Sequence, residues 1–143
     1  MADQKRETKL WKHLKESLKD IRFTRIESRT INGIPDLYGV YKGKSFWLEL
    51  KADYVSYPKL SKWQLSWINL HVKECVPVLI CNIALSQRAL KLYRILAWVE
   101  KPQDLVPDAV FPMHGQWDKV AQKVYEMISD KYTVIGTTAH EPR

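Results

Sequence analysis

Hydrophobic positions along the chain change their period several times, and each change marks an element. Leu10, Trp11, Leu14, Leu18 and Ile21 recur at helical spacings with lysines between them, which predicts a helix from about Gln4 to Asp20. The period then drops to two. In Arg22–Ser28, Phe23, Arg25 and Glu27 share one face and Thr24 and Ile26 the other, as in a short strand. Arg29 to Gly33 reads as a loop, with Asn32-Gly33 as its turn signal. Gly33 to Lys51 reads as a hairpin, apolar and aromatic on both arms, turning at Lys42-Gly43-Lys44-Ser45. Ala52 to Lys59 is irregular, and Ser61-Lys-Trp-Gln64 has the form of a capping box opening a helix to about Val72. On that helix Trp63, Trp67 and Leu70 form the predicted apolar strip, with Gln64 beside it.

Further along, Val76–Ile83 is a nearly continuous apolar run, the pattern of a strand buried on both faces. Ala84 to Leu90 reads as a turn or short helix and Leu92–Trp98 as the next strand. Pro102, Pro107 and Pro112 break the following stretch into loops, and a last helix is predicted from Trp117 to Asp130, with Val120, Val124, Met127 and Ile128 on one face. Residues 134–143 read as a poorly ordered tail. The order α-β-β-β-α-β-β-α predicts one α/β domain over residues 1–133, a central mixed sheet flanked by helices.

Charge interrupts this pattern at one place. Glu49 and Lys51 share a face of the second hairpin arm, and Asp36 opens the first arm, so pairing of the arms brings all three together. A half-buried carboxylate needs a partner, and a divalent cation is the strongest one available. The alternative for Lys51 is a plain salt bridge to Asp36 or Glu49. On the first helix, Glu7 falls on the face of Leu14 and Leu18, within reach of such a site, whereas Glu16 falls among Lys12, Lys15 and Lys19. Glu7 is equally explained as a first-turn glutamate favoured by the helix dipole. Arg25 either pairs with Glu27 or meets a phosphate, and Glu27 is a further candidate carboxylate.

Pro35-Asp36, 12 intervening residues, and then Glu49-Leu50-Lys51 resemble the motif of the PD-(D/E)XK nucleases. Gly33-Ile-Pro-Asp-Leu, the apolar strand ending in Glu-Leu-Lys, and the downstream Leu60-Ser-Lys-Trp-Gln-Leu-Ser-Trp67 extend the resemblance from Glu7 to about Asn82. Within that superfamily the chain is most similar to small VRR-NUC and Holliday-junction-resolvase-like endonucleases, often phage-encoded. The resemblance implies a restriction-endonuclease-like core and metal-dependent hydrolysis of DNA, on branched or junction structures in replication, recombination or repair. It also implies roles for individual residues. Asp36, Glu49, the Leu50 carbonyl and Glu7 would hold Mg²⁺, for which Mn²⁺ would substitute, while Lys51 and Gln64 would act at the scissile phosphate. Enzymes of this kind usually work as homodimers, and Tyr93, Trp98 or Trp117 would supply an apolar contact.

Composition narrows the alternatives. The 143 residues are 45% hydrophobic, enough for one core, and they carry 23 Lys+Arg against 16 Asp+Glu, a net charge of +7. Such a surplus suits a polyanionic partner, with Arg25, Arg29, Lys59 and Lys62 as the first candidates to meet DNA phosphates. Solubility alone would also account for it, as would a non-cleaving basic nucleic-acid-binding module of the same fold. Such a module, however, would gain by losing Asp36 and Glu49, which repel phosphate. His13, His71, His114 and His140 show no ligand spacing, so an oxygen-ligated cation is expected in place of zinc. Cys75 and Cys81 read as free thiols. No apolar run reaches the ~18 residues of a membrane span, and the charged start lacks the apolar run of a signal peptide, which points to the cytoplasm (the host's, if phage-encoded).

Overall fold

The computed structural model describes residues 2–27 and 31–129. Arg29 and the expected tail lie outside the described residues. The first helix, α1 (Ala2–Ser17), is followed by β1 (Arg22–Arg25), β2 (Leu37–Tyr41) and β3 (Lys44–Asp53). Helix α2 (Lys62–Lys73) leads to β4 (Val78–Ala84), β5 (Ala89–Arg94) and β6 (Ala109–Pro112), and α3 (Trp117–Ser129) closes the described chain. Short 3₁₀ turns at Leu85–Gln87 and Pro102–Asp104 lie between strands.

The strands form one sheet in sequence order, β1 to β6. Neighbours are antiparallel except β3 and β4, whose parallel pairing is made possible by the α2 crossover. The predicted hairpin is present. Tyr41 pairs with Lys44 across a two-residue turn in which Lys42 and Gly43 have φ of 47° and 79°, the left-handed geometry that matches strand twist. The irregular stretch is shorter than predicted, because β3 runs on through Asp53 alongside β4. A strand absent from the sequence prediction, β6, forms at the sheet edge, where Pro112 ends it without breaking an inner ladder.

Helices cover both faces, so the mixed sheet flanked by helices is the observed architecture. On one face Leu10 and Leu14 of α1, with Leu18 just past its end, meet Val120, Val124 and Met127 of α3 over Leu48, Leu50, Leu79, Cys81 and Leu92. On the other, Ile68 and Val72 of α2 pack over Val78, Ile80, Tyr93 and Ile95. Every residue of β4 is buried, as its apolar run predicts.

Two expectations change here. Trp63 and Leu70 are each 54% exposed, so the strip predicted on α2 is not its buried face. The core side is set by Ile68, Asn69 and Val72, and the Asn69 amide is satisfied there by both backbone groups of Val99, at 2.8 Å each. Tyr93 is only 1% exposed and has no surface to offer a second copy. Both cysteines are free, Cys81 buried and Cys75 half-buried. No helix among the described residues is long and apolar enough to cross a membrane.

Candidate active site

Asp36 sits one residue before β2 begins, opposite a stretch of β3 that has outrun its antiparallel partner. The β2–β3 ladder ends at Leu37–Leu48, so the Leu50 amide, which points to the same edge, has no backbone partner there. The Asp36 side chain takes its place: Leu50 N–H donates to Asp36 Oδ2 at 2.8 Å. The Leu50 carbonyl faces that edge too. The backbone of Asp36 is fixed on both sides, its N–H donating to Glu49 Oε1 at 3.2 Å and its carbonyl accepting from Ile26 N–H at 2.8 Å. A strand terminating early against a longer neighbour is what leaves room for this carboxylate.

Glu49 is 1% exposed. Its second oxygen accepts from Gln64 Nε2 at 2.6 Å. Gln64 is also the third residue of the α2 capping box: Ser61 Oγ accepts from Gln64 N–H at 3.1 Å, and Gln64 Oε1 accepts from Ser61 N–H at 2.9 Å. One glutamine thus caps the helix through its oxygen and holds the carboxylate through its nitrogen. Burial raises the Glu49 pKa well above its ordinary value, and the adjoining Asp36 carboxyl raises it further. The Lys51 charge and the Asp36 N–H pull the other way.

Lys51 is half-buried on the same face as Glu49. It forms no ion pair with Asp36 or Glu49, so the plain salt bridge is not its role among the described residues. In the parallel register Lys51 is opposite Asn82. Asn82 is 0% exposed; its amide makes no well-formed hydrogen bond among the described residues, but it lies against the Tyr93 hydroxyl, whose pKa it lowers against the effect of burial. Sequence reasoning passed over it, although a lone amide in an otherwise apolar buried strand is a visible signal.

On the α1 side, Glu7, Trp11, Arg25, Asp36, Leu37 and Leu50 enclose a hollow of about 20 Å³. Glu7 is half-buried at this hollow and Glu16 is exposed, as their helix phases predict. Among the described residues no three His, Cys, Asp or Glu side chains converge into a ready-made metal cage. Glu7 and Asp36 share the hollow, whereas Glu49, which meets Asp36, does not line it. Glu27 is exposed, and no bond to Arg25 holds it. Lys59 and Lys62 are exposed near the start of α2, where Asp53 Oδ2 accepts the Lys59 backbone N–H at 2.9 Å and Lys62 Nζ lies 5.0 Å from the Trp63 ring centre.

The segment before Asp36 is locked to α2 by Gly33. Its φ is +89°, and a Cβ there would fall 2.2 Å from the Trp63 carbonyl oxygen. The chain carrying Asp36 therefore presses directly on the helical turn carrying Gln64. No family model matches the chain, and no curated protein resembles it at a significant level.

Proposed function

We propose that this chain is a divalent-cation-dependent endonuclease of the PD-(D/E)XK type, hydrolysing phosphodiester bonds in DNA, with branched or junction structures as its substrates. The observation that carries the reading is the Asp36–Glu49 pair: two carboxyls brought together at a strand end, one almost wholly buried and held by Gln64, with Lys51 two residues on and unpaired by either. A structural role would be served as well by an apolar pair, since burying carboxyls together is unfavourable without a proton or a cation between them.

The donor set supports magnesium over zinc. Every available ligand is oxygen, from Asp36, Glu49, Glu7 and the Leu50 carbonyl. Among the described residues no three such side chains form a cage; Mg²⁺ keeps much of its water and is commonly held by one or two carboxylates. The 20 Å³ hollow is large enough for one water or ion. When bound, such a cation supplies Lewis acidity toward a phosphoryl oxygen and acidifies a water ligand.

The protein's own groups do the rest. Gln64 keeps Glu49 facing Asp36 and not turning toward Lys51. The Lys51 ammonium stands ready to orient the attacking water or stabilise the charge gathering on phosphorus. Asn82, opposite Lys51 in the parallel register, is the amide that would steady it. Arg25 at the hollow and Lys59 and Lys62 at the start of α2 would hold the phosphates on either side.

The test is a panel of plasmid, duplex, flap and four-way-junction DNA with Mg²⁺, Mn²⁺ or EDTA, run with the wild type and Glu49→Gln. Cation-dependent cleavage is expected from the wild type, lowered by at least about 100-fold in the variant, the range seen when a group stabilising the transition state is removed. Undiminished cleavage by Glu49→Gln would remove the site from the reaction. Binding without cleavage of any substrate would leave a non-cutting module.

A further inference from the structure

Among the described residues three aromatic side chains are more than half exposed: Tyr54 at 75%, Trp63 at 54% and Trp98 at 55%. Two of them lie on one stretch, from the end of β3 to the first turn of α2, and both ends of that stretch belong to the candidate site. Strand β3 carries Glu49 and Lys51 and ends at Asp53, just before Tyr54, while Trp63 directly precedes Gln64, which holds Glu49. Single exposed apolar residues are ordinary on a protein surface. These two differ in how firmly their backbone is held and in what surrounds them.

The capping box fixes the first turn of α2, and the Gly33 segment lies directly against the Trp63 carbonyl. The Trp63 ring is left in water, with the Lys62 ammonium 5.0 Å from its centre, inside the ~6 Å reach of cation–π attraction. The loop before it is braced at two points. Asp53 Oδ2 accepts the Lys59 N–H at 2.9 Å, and Lys91 Nζ donates to the Ser56 carbonyl at 2.8 Å. Exposed aromatic rings thus alternate with the exposed Lys59 and Lys62 along a braced backbone. Asp53 is the one carboxylate between Lys51 and Gln64, and one of its oxygens is already engaged.

This combination distinguishes two forms of DNA. A paired duplex turns its phosphates outward and hides the faces of its bases, so lysines alone serve it. An unpaired strand exposes base faces, which stack on aromatic rings with little regard to sequence while cations hold the backbone. We propose that the β3–α2 loop and the first turn of α2 form a binding surface for an unpaired DNA strand. Its bases stack on Trp63 and Tyr54, and its phosphates meet Lys59 and Lys62. That this strand leads from the cut, and that flaps and branches are preferred for this reason, rests on the nuclease reading, whereas the binding itself does not.

The experiment measures the affinity of the full chain in EDTA for a single strand, a blunt duplex, and that duplex with an unpaired tail. The Trp63 indole N–H is followed by NMR, assigned by its loss in Trp63→Phe. The single strand and the tailed duplex should bind more tightly than the blunt duplex and alone should shift the indole. Trp63→Ala and Tyr54→Ala should each lose about tenfold on those two probes and nothing on the blunt duplex. Trp63→Phe, which keeps a ring, should retain most of the affinity. Trp98→Ala, which removes an equally exposed tryptophan from the loop after β5, should change nothing. Alanine suits a helix and the replaced ring is more than half in water, so Trp63→Ala should melt like the wild type. The proposal is overturned if the blunt duplex binds as tightly as the tailed one, or if Trp63→Ala binds like the wild type. It is equally overturned if Trp63→Ala loses as much on all three probes, or if Trp98→Ala reproduces the loss. Binding of the expected pattern without cleavage of any DNA in Mg²⁺ would support the surface and count against the nuclease reading alone.

Discussion

At Glu49, burial and the Asp36 carboxyl both favour the protonated acid, opposed by the Lys51 charge and the Asp36 N–H. Without a cation, the folded protein therefore holds a proton that the unfolded chain has already released, between the ordinary carboxylate range near 4.5 and the raised folded value. Stability falls with pH wherever the native state binds more protons. The contribution of neutral Glu49 is thus complete below the ordinary carboxylate pKa and is lost as pH rises through its folded one. Melting curves in EDTA should show Tm declining across that window, and Glu49→Gln, which cannot ionise, should flatten the decline. Mg²⁺ should restore Tm above the window in the wild type, because a ligand bound only to the native state stabilises it by mass action, and should do so far less in the variant. A wild-type Tm that stays level or rises through the window would show that Glu49 is not held neutral. The Asp36–Glu49-X-Lys51 set was legible from spacing, since alternation along a strand and pairing of hairpin arms fix which residues share a face. Asn82 was not, because its significance depends on the parallel register with Lys51, which no local pattern carries.

The contact between two elements, the Gly33–Asp36 segment and the first turn of α2, decides whether Asp36, Glu49 and Gln64 meet. Gly33 and Gly43 have similar positive φ, 89° and 79°, so an alanine at either is strained by roughly 1–2 kcal/mol. They differ in surroundings: a Cβ at Gly43 meets nothing within 4 Å, while one at Gly33 meets the α2 backbone at 2.2 Å. Gly43→Ala should therefore lower stability by only the strain and leave cleavage intact. Gly33→Ala must push the segment off the helix, and should cost about 3 kcal/mol or more together with most of the cleavage. Equal effects of the two substitutions on denaturant unfolding and on cleavage would refute this account. Asn32-Gly33 is visible in sequence as a turn, and Ser61 to Gln64 as a capping box, because both are local chemistry. That the two touch is tertiary and left no local trace. The same limit explains β6, whose four residues end in a proline and pair only because β5 offers an open edge. It also explains the phase of α2, where Trp63 projects beyond the sheet and the buried face includes an asparagine.

Over the whole molecule, the positive charge is distributed unevenly around the site. Arg25 stands at the Asp36 hollow, Lys59 and Lys62 at the start of α2, and the exposed Trp63 ring lies beneath Lys62. Lys73 is also exposed but sits in the last turn of the same helix, about 11 residues and hence ~16 Å away from the helix start at 1.5 Å per residue. If DNA is bound across the candidate site, only the first group releases counterions from phosphates. Affinity should then fall linearly in log–log form with salt, at about 0.9 per phosphate neutralised on duplex. Lys59→Gln and Lys62→Gln should each weaken binding and reduce the slope by about one, whereas Lys73→Gln should change neither. Glu49→Gln should keep the slope and bind about as well as the wild type, because it replaces a carboxyl that burial and Asp36 hold toward its neutral form and touches no cation. Those four variants, measured in EDTA so that no strand is cut, separate a directed binding face from a chain that is merely basic. Equal losses at Lys59, Lys62 and Lys73 would mean that the net charge of +7 acts as a whole and that DNA is not guided to this site.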